Sequence, residues 1–299
     1  MKIVQKSFWL FWGILLVLGG EAFGGQEQEK IPWNLLPRVA QLEEKQRMAL
    51  FDVLKGERNY GACRQSVYDC LIMEKPDRAA IRMANFGAYL VSKGMPPRNL
   101  GLLIYERAKF ADPLQVNTFT YEETPLKGSP EAKITITEFA EFKCPYCVTL
   151  GPLLEKLVKE SGGQVRLFFK HFPLKSHHGS PLSSKAAQAA NRQGKFWEMY
   201  ERLFKDMNKQ SMEDLLNYAG ELGLDMEKFK NDLEDPELLR VIERDVMEGV
   251  RANVTGTPTL FINGKFYNFR NDEEFLKDTI NDEAERLGVA PPYSEWRYE

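Results

Sequence analysis

The sequence predicts an α/β unit with a helical insertion, preceded by a small all-α domain, and three observations predict it. Residues 133–172 run strand, helix, strand: KITITEF alternates apolar and polar residues, a helical run follows from Pro145, and QVRLFFKHF is a second strand. About forty residues is the size of a βαβ unit with a right-handed crossover. Near the end, TPTLFING and KFYNF are two short strands joined at Asn263-Gly264, a dipeptide suited to a type I′ hairpin turn. Residues 38–110, by contrast, carry apolar residues only at helical spacing.

The 299 residues can bury a full core in one large domain or two ordinary ones. A formal charge of −3 without a long Lys/Arg run argues against nucleic acid as a partner. At the start, Lys2 and Lys6 precede the apolar run FWLFWGILLVLGG, and Ala22 and Gly24 supply a small-x-small cleavage pattern. Residues 1–24 therefore read as a secretory signal. The alternative is an uncleaved anchor, although the run is shorter than the ~20 residues that span a bilayer.

The helical domain, residues 31–112, opens with a helix over 38–55, where Val39, Leu42, Met48, Phe51 and Leu54 form one face and Gly56 ends the run. A second helix is predicted over Arg64–Met73, a third from the cap Asp77 to Ser92, and a fourth over residues 99–110. Residues 113–130, rich in proline and poor in apolar periodicity, read as a linker to a second domain over 131–290. In its first strand Ile134 and Ile136 share one face and Thr135 and Thr137 the other. The helix from Pro145 buries Leu150, Leu153, Leu154, Leu157 and Val158, and Ser161-Gly162-Gly163 stops it. Pro152 removes one hydrogen bond inside this helix and predicts a kink. Residues 183–253 read as successive helices whose apolar stripes are packing faces, and residues 271–288 as a last helix begun by an Asn/Asp cap.

The chemistry concentrates in EFKCPYCVTLGP, residues 141–152. A cysteine reacts as thiolate, so what matters is whatever lowers its pKa. Pro145 suits the first helical position, which puts Cys144 at the helix N-terminus, where unpaired N–H groups and the dipole stabilise a negative sulfur. Cys147, three residues on, lies on the same side of the first turn. Cys144 can attack and Cys147 can resolve. Pro-Tyr has no histidine between the cysteines, which predicts a moderately oxidising couple. Glu138 shares the face of Ile134 and Ile136 and, if buried beneath the cysteines, has a raised pKa and can exchange protons with Cys147; a solvated strand-end glutamate is the alternative.

The blocks ITEFAEFKCPYC, FKHFPL, AAQAANRQGKFWEMYERLF and GTPTLFING occur in the order that resembles DsbA-like exported thiol-disulfide oxidoreductases, which have the thioredoxin fold. The resemblance covers residues 125–288. It implies that Pro258 is a cis proline facing the cysteine pair, that the Thr257 backbone pairs with a substrate peptide, and that Glu138 is the family's buried acid. It also implies substrates that are exported proteins with cysteines, a membrane redox partner that resets the couple, no organic cofactor, and a place in the periplasm or cell envelope. The Pro-Tyr dipeptide matches DsbG-type proteins rather than the Pro-His of DsbA. Three activities stay open: a disulfide-forming oxidase, an isomerase or reductase of the DsbG type, favoured if residues 31–112 make the protein a homodimer with a cleft, and a non-catalytic client-binding module.

Cys144, Cys147, His177 and His178 could also make a Cys₂His₂ metal set, but the two histidines are adjacent, unlike the H-x₃₋₅-H spacing of such sites, and no metal is expected. His171 reads as a packed strand residue. Cys63 and Cys70 would lie ~10.5 Å apart if both were in one helix, beyond disulfide reach. Gly61 suggests a loop that folds Cys63 back and permits a structural disulfide; free thiols or a second redox pair remain the alternatives.

Overall fold

The computed structural model describes residues 30–269 and 271–293. The predicted secretory signal, residues 1–24, lies outside them. No helix among the described residues is long and apolar enough to cross a membrane.

After a 3₁₀ turn at Trp33–Leu35, the first half builds α1 (Pro37–Ala40), α2 (Glu44–Gly56), α3 (Val67–Leu71), α4 (Arg78–Ser92) and α5 (Pro97–Ala111). The single helix predicted over 38–55 is broken in two. Glu43 and Gln46 form a reciprocal capping box that satisfies the first N–H groups of a new helix, so the chain restarts there. The helix predicted over Arg64–Met73 is also shorter, because the Ser66 hydroxyl accepts from the Asp69 N–H at 3.0 Å and begins α3 only at Val67. Cys63 is thereby left in the preceding loop, and its Cα lies 5.8 Å from that of Cys70, to which it is disulfide-bonded. Asp77 caps α4 as the sequence suggests, accepting from the Ala79 N–H at 2.9 Å. Leu50, Phe51, Leu54, Val67, Met83 and Leu100 fill this half's core.

The second half is a five-stranded sheet in the order β1-β3-β2-β4-β5. Its strands are β1 (Leu126–Gly128), β2 (Ile134–Ala140), β3 (Val165–His171), β4 (Thr259–Ile262) and β5 (Lys265–Tyr267). β2 and β3 are parallel, joined by α6 (Pro145–Glu160), and every other pairing is antiparallel. The insertion comprises α7 (Ser180–Asn191), α8 (Phe196–Lys205), α9 (Met212–Glu221), α10 (Met226–Glu234) and α11 (Pro236–Arg251); α12 (Glu273–Arg286) closes the fold. Asn263 and Gly264 both take positive φ, 49° and 77°, as a type I′ turn requires.

One sequence reading needs correction here. Residues 113–130 are not a plain linker: they include β1, the Asn117 N–H donates to the Gly264 carbonyl at 2.8 Å, and Tyr121 stacks on Phe168 with ring centres 4.0 Å apart. The strand predicted at β2 is present, and both of its faces are covered. All seven residues are buried, because α6 and α12 cover the face of Ile134 and Ile136 while Phe119, Phe172 and Phe261 cover that of Phe139.

The two halves meet along α12. Phe275 belongs to the core of the helical half, and its ring meets Phe86 edge-on at 5.4 Å. Beside it the Arg107 guanidinium of α5 pairs with Asp278 at 2.8 Å, Arg82 of α4 with Asp282 at 3.0 Å, and the Tyr60 hydroxyl donates to Asp282 at 3.0 Å, all of them buried. Cations and carboxylates taken out of water this completely hold only when each has its partner.

Candidate active site

The β2–α6 turn positions the cysteines. Cys144 is the N-cap of α6, in extended conformation, and Pro145 follows at the first helical position. No side-chain oxygen caps this helix, so the Tyr146 and Cys147 N–H groups can act on the sulfur, the latter also bonding the Cys144 carbonyl at 3.2 Å. The Cys144 thiol is drawn down from its ordinary value to about 5, chiefly by the hydrogen bond from Cys147 and further by Thr257 and the N–H groups of Cys147 and Tyr146, against burial. Cys147 moves the opposite way. Its hydrogen bond to Cys144, its burial and the Glu138 carboxyl all push its pKa up. One sulfur is therefore set to be an anion and its neighbour to keep a proton.

Across the site, the Thr257–Pro258 peptide is cis, and Cys144 Sγ in its thiol form donates to the Thr257 carbonyl at 3.2 Å. The structure thus brings the loop proline against the cysteine turn although 113 residues separate Cys144 from Thr257. Cys144 keeps only 2% of its surface exposed, whereas the Tyr146 side chain beside it stands out at 73%.

Beneath the turn, Glu138 is fully buried, in register between Phe169 of β3 and Leu260 of β4. Neither carboxyl oxygen has a hydrogen-bond partner among the described residues. Desolvation by these apolar neighbours, with smaller contributions from Cys144 and Glu155, pushes its pKa up to about 8. The face shared with Ile134 and Ile136 was legible in the strand pattern; the depth of burial needed α6 laid over it.

Sequence reading missed Glu141. This buried carboxylate accepts from the Lys143 N–H at 3.0 Å, the Ser180 hydroxyl and His177 Nδ1, and its backbone carbonyl accepts from the Cys144 N–H at 3.4 Å. It ties the cysteine turn to the start of α7. An acidic residue three positions before the first cysteine was the available signal, but its partners lie 36 and 39 residues away. His177 is thereby engaged away from the sulfurs, and among the described residues no group of three or more His, Cys, Asp or Glu could hold a metal ion. His171 is buried among the rings of Phe142, Phe169 and Phe196, with Nε2 3.3 Å from the Gln188 side-chain oxygen, and burial lowers its pKa.

A thioredoxin-like oxidoreductase from Silicibacter pomeroyi DSS-3 superposes with a TM-score of 0.50 at 29% identity, covering 55% of this chain and 93% of that one. Among curated proteins, the Na(+)/H(+) antiporter NhaA 3 of Salinispora tropica is 37% identical over 141 residues, and NhaA of Herminiimonas arsenicoxydans 33% identical over 140. Each of these matches takes in 47% of this chain and 22% of the relative, so the chain spans about a fifth of the length of those relatives. The thioredoxin family model matches residues 120–282, which hold the whole sheet, both cysteines of the β2–α6 turn and the cis proline; the chain belongs to the thioredoxin family.

Proposed function

We propose that this chain is a thiol-disulfide oxidoreductase that acts on exported proteins, and that it works as an oxidase through Cys144 and Cys147. The observation that carries this reading is the place of the Cys144 sulfur, at the start of α6 and 3.2 Å from the Thr257 carbonyl of the cis Thr257–Pro258 loop, with its pKa drawn down to about 5. Stabilising the thiolate stabilises the reduced protein, which makes the disulfide form the stronger oxidant.

In the oxidising direction a substrate thiolate attacks Cys144 Sγ of the Cys144–Cys147 disulfide. The intramolecular S–S bond breaks, a mixed disulfide forms, and Cys147 leaves as thiolate and takes a proton from Glu138. A second substrate thiolate then attacks the substrate sulfur of the mixed disulfide and releases Cys144 as its stable thiolate. The substrate has lost two electrons and two thiol protons, one replacing that given up by Glu138 and the other going to solvent; the protein's disulfide has gained the electrons. Thr257 offers its backbone to the extended substrate chain, and Pro258 forms the rim beside the sulfur. The helical unit 31–112, the catalytic unit 131–290, an envelope location and a membrane partner that reoxidises the pair belong to the same reading.

The reduction potential of the Cys144/Cys147 couple tests it. A value closer to about −120 mV than to about −270 mV is expected, and a value at the reductant end overturns the oxidase direction. Trapping with Cys147→Ala in the native envelope should leave mixed disulfides on Cys144; if no exported protein is captured, the substrate assignment fails.

A further inference from the structure

Behind the cysteines lies a second buried polar group that the exchange steps above do not use. Tyr200 of α8 is 3% exposed, and its ring is enclosed by Phe142, Phe169, Phe196, Trp197 and Phe204 at 4.5–6.1 Å between centres. Such a cage suits phenylalanine as well as tyrosine, yet the chain places a hydroxyl here, and this oxygen has no hydrogen-bond partner among the described residues. Leaving a buried hydroxyl unpaired costs about 1–3 kcal/mol, and a buried Tyr O–H usually finds a partner.

Three constraints say where that hydroxyl points. A Cβ at Gly151 would lie 2.1 Å from it, so it reaches the backbone of α6 one turn beyond Cys147, where glycine costs about 1 kcal/mol relative to alanine but leaves the space open. The Tyr200 ring packs edge-on against Phe169, centres 5.7 Å apart, and Phe169 is the register partner of Glu138. Glu138 in turn has both oxygens unpaired, lies on the same sheet face as Phe169, and stands close enough to Tyr200 and to Cys147 to push the pKa of each up. Two polar groups lacking partners thus converge on one small region, each buried by apolar neighbours.

We propose that Tyr200 is a positioning residue for the resolving cysteine: its hydroxyl donates a hydrogen bond to the ionised Glu138 carboxylate, directly or through one buried water, and so favours the form of Glu138 that takes the proton from Cys147. This rests on the proton-relay reading of Glu138. The titratable groups facing the pair are Cys144, Cys147 and Glu155 of α6 and Glu201 of Tyr200's own helix; the strand neighbours of Glu138, Phe169 and Leu260, carry no charge. A donor to the carboxylate lowers the carboxyl pKa, so its removal raises it.

The experiment is Tyr200→Phe, which removes one oxygen and keeps the ring. Single-turnover reduction of a cystine-containing peptide by the reduced full chain, followed from pH 6 to 10, reads the resolving step. In the parent the rate should rise with a midpoint near the Glu138 pKa of about 8. Tyr200→Phe should move this midpoint up by about half to one pH unit, a roughly three- to tenfold loss of rate near pH 7, with the Cys144 alkylation profile unmoved. Gly151→Ala, which pushes the hydroxyl aside, should shift it the same way. In a Glu138→Gln background Tyr200→Phe should produce no further shift. An unmoved midpoint in Tyr200→Phe, or a pH-independent loss of rate, overturns the proposal and leaves the Glu138 relay standing if Glu138→Gln abolishes the inflection. An inflection that survives Glu138→Gln removes the relay reading and this proposal together.

Discussion

The molecule holds two cysteine pairs, each beside the start of a helix, and they differ in what occupies that start. At α3 the N-cap is Ser66, whose hydroxyl takes up the Asp69 N–H; Cys63 stands before the cap, its own N–H bonded to the Asp77 carboxylate at 2.9 Å, and is joined to Cys70. At α6 the cysteine itself is the N-cap, and the Tyr146 and Cys147 N–H groups turn toward its sulfur. The same residue type is a staple where oxygen caps the helix and an anion where nothing else does. Spacing alone does not make the difference; the identity of the capping atom does.

The largest expected effect tests the anionic side of that contrast. Cys144→Ser puts an oxygen cap where the sulfur was and should lower thiol-disulfide exchange with a cysteine-containing peptide by at least about a thousandfold, with thermal stability unchanged or raised. Alkylation of the reduced protein by iodoacetamide should mark Cys144 with a midpoint near pH 5 and leave Cys147 unmodified at neutral pH. A midpoint near that of free cysteine would remove the basis of the contrast.

How much of this was legible follows from the range of each interaction. The β2–α6 turn, the Asp77 cap and the Asn263-Gly264 hairpin are set by residues within four positions of one another, and the chain spells them out. β1 is three residues long and exists only because β3 offers it an edge, so nothing in LKG announces it. The same holds for the active site. Cys144 and Cys147 could be read from the motif, and Pro258 from a resemblance, whereas Glu141 and Tyr200 acquire their places only when α7 and α8 fold back over the turn.

A second contrast concerns whether the helical half stands apart from the half with the reactive pair. Arg107 is 1% exposed and pairs with Asp278 at 2.8 Å, and burial works against its charge while Asp278 and Asp282 hold its pKa up. Arg107→Met would leave two buried carboxylates short of a cation and should cost roughly 3–5 kcal/mol in denaturant unfolding. A single cooperative transition in the parent is expected, and two separate transitions there would mean that the halves fold independently.

Glu138 predicts a stability effect of similar size and opposite sign. Its pKa is about 8 when folded against about 4.5 when exposed, so between these values the folded chain binds the extra proton and stability falls as pH rises. Nothing is lost below pH 4.5, and the full penalty is present above 8. Glu138→Gln should therefore flatten the pH dependence of unfolding and, at pH 8, stabilise the protein by roughly 3–5 kcal/mol, while slowing the resolving step. Equal pH slopes for parent and variant would place the Glu138 pKa near that of an ordinary carboxyl.

The smallest effect sharpens the comparison from the side of the staple. Replacing Cys63 and Cys70 together by serine opens a loop with a sequence separation of 7. Chain entropy for a loop this short gives a loss of about 2–3 kcal/mol, read as a lower urea midpoint at unchanged slope. Exchange activity below the new midpoint should be unaltered, because the Ser66 cap keeps the first N–H groups of α3 away from any sulfur and no thiolate is stabilised there. If activity fell with the bridge while the fold persisted, the two pairs would have to exchange electrons with each other, and the division between an anion at one helix and a staple at the other would no longer hold.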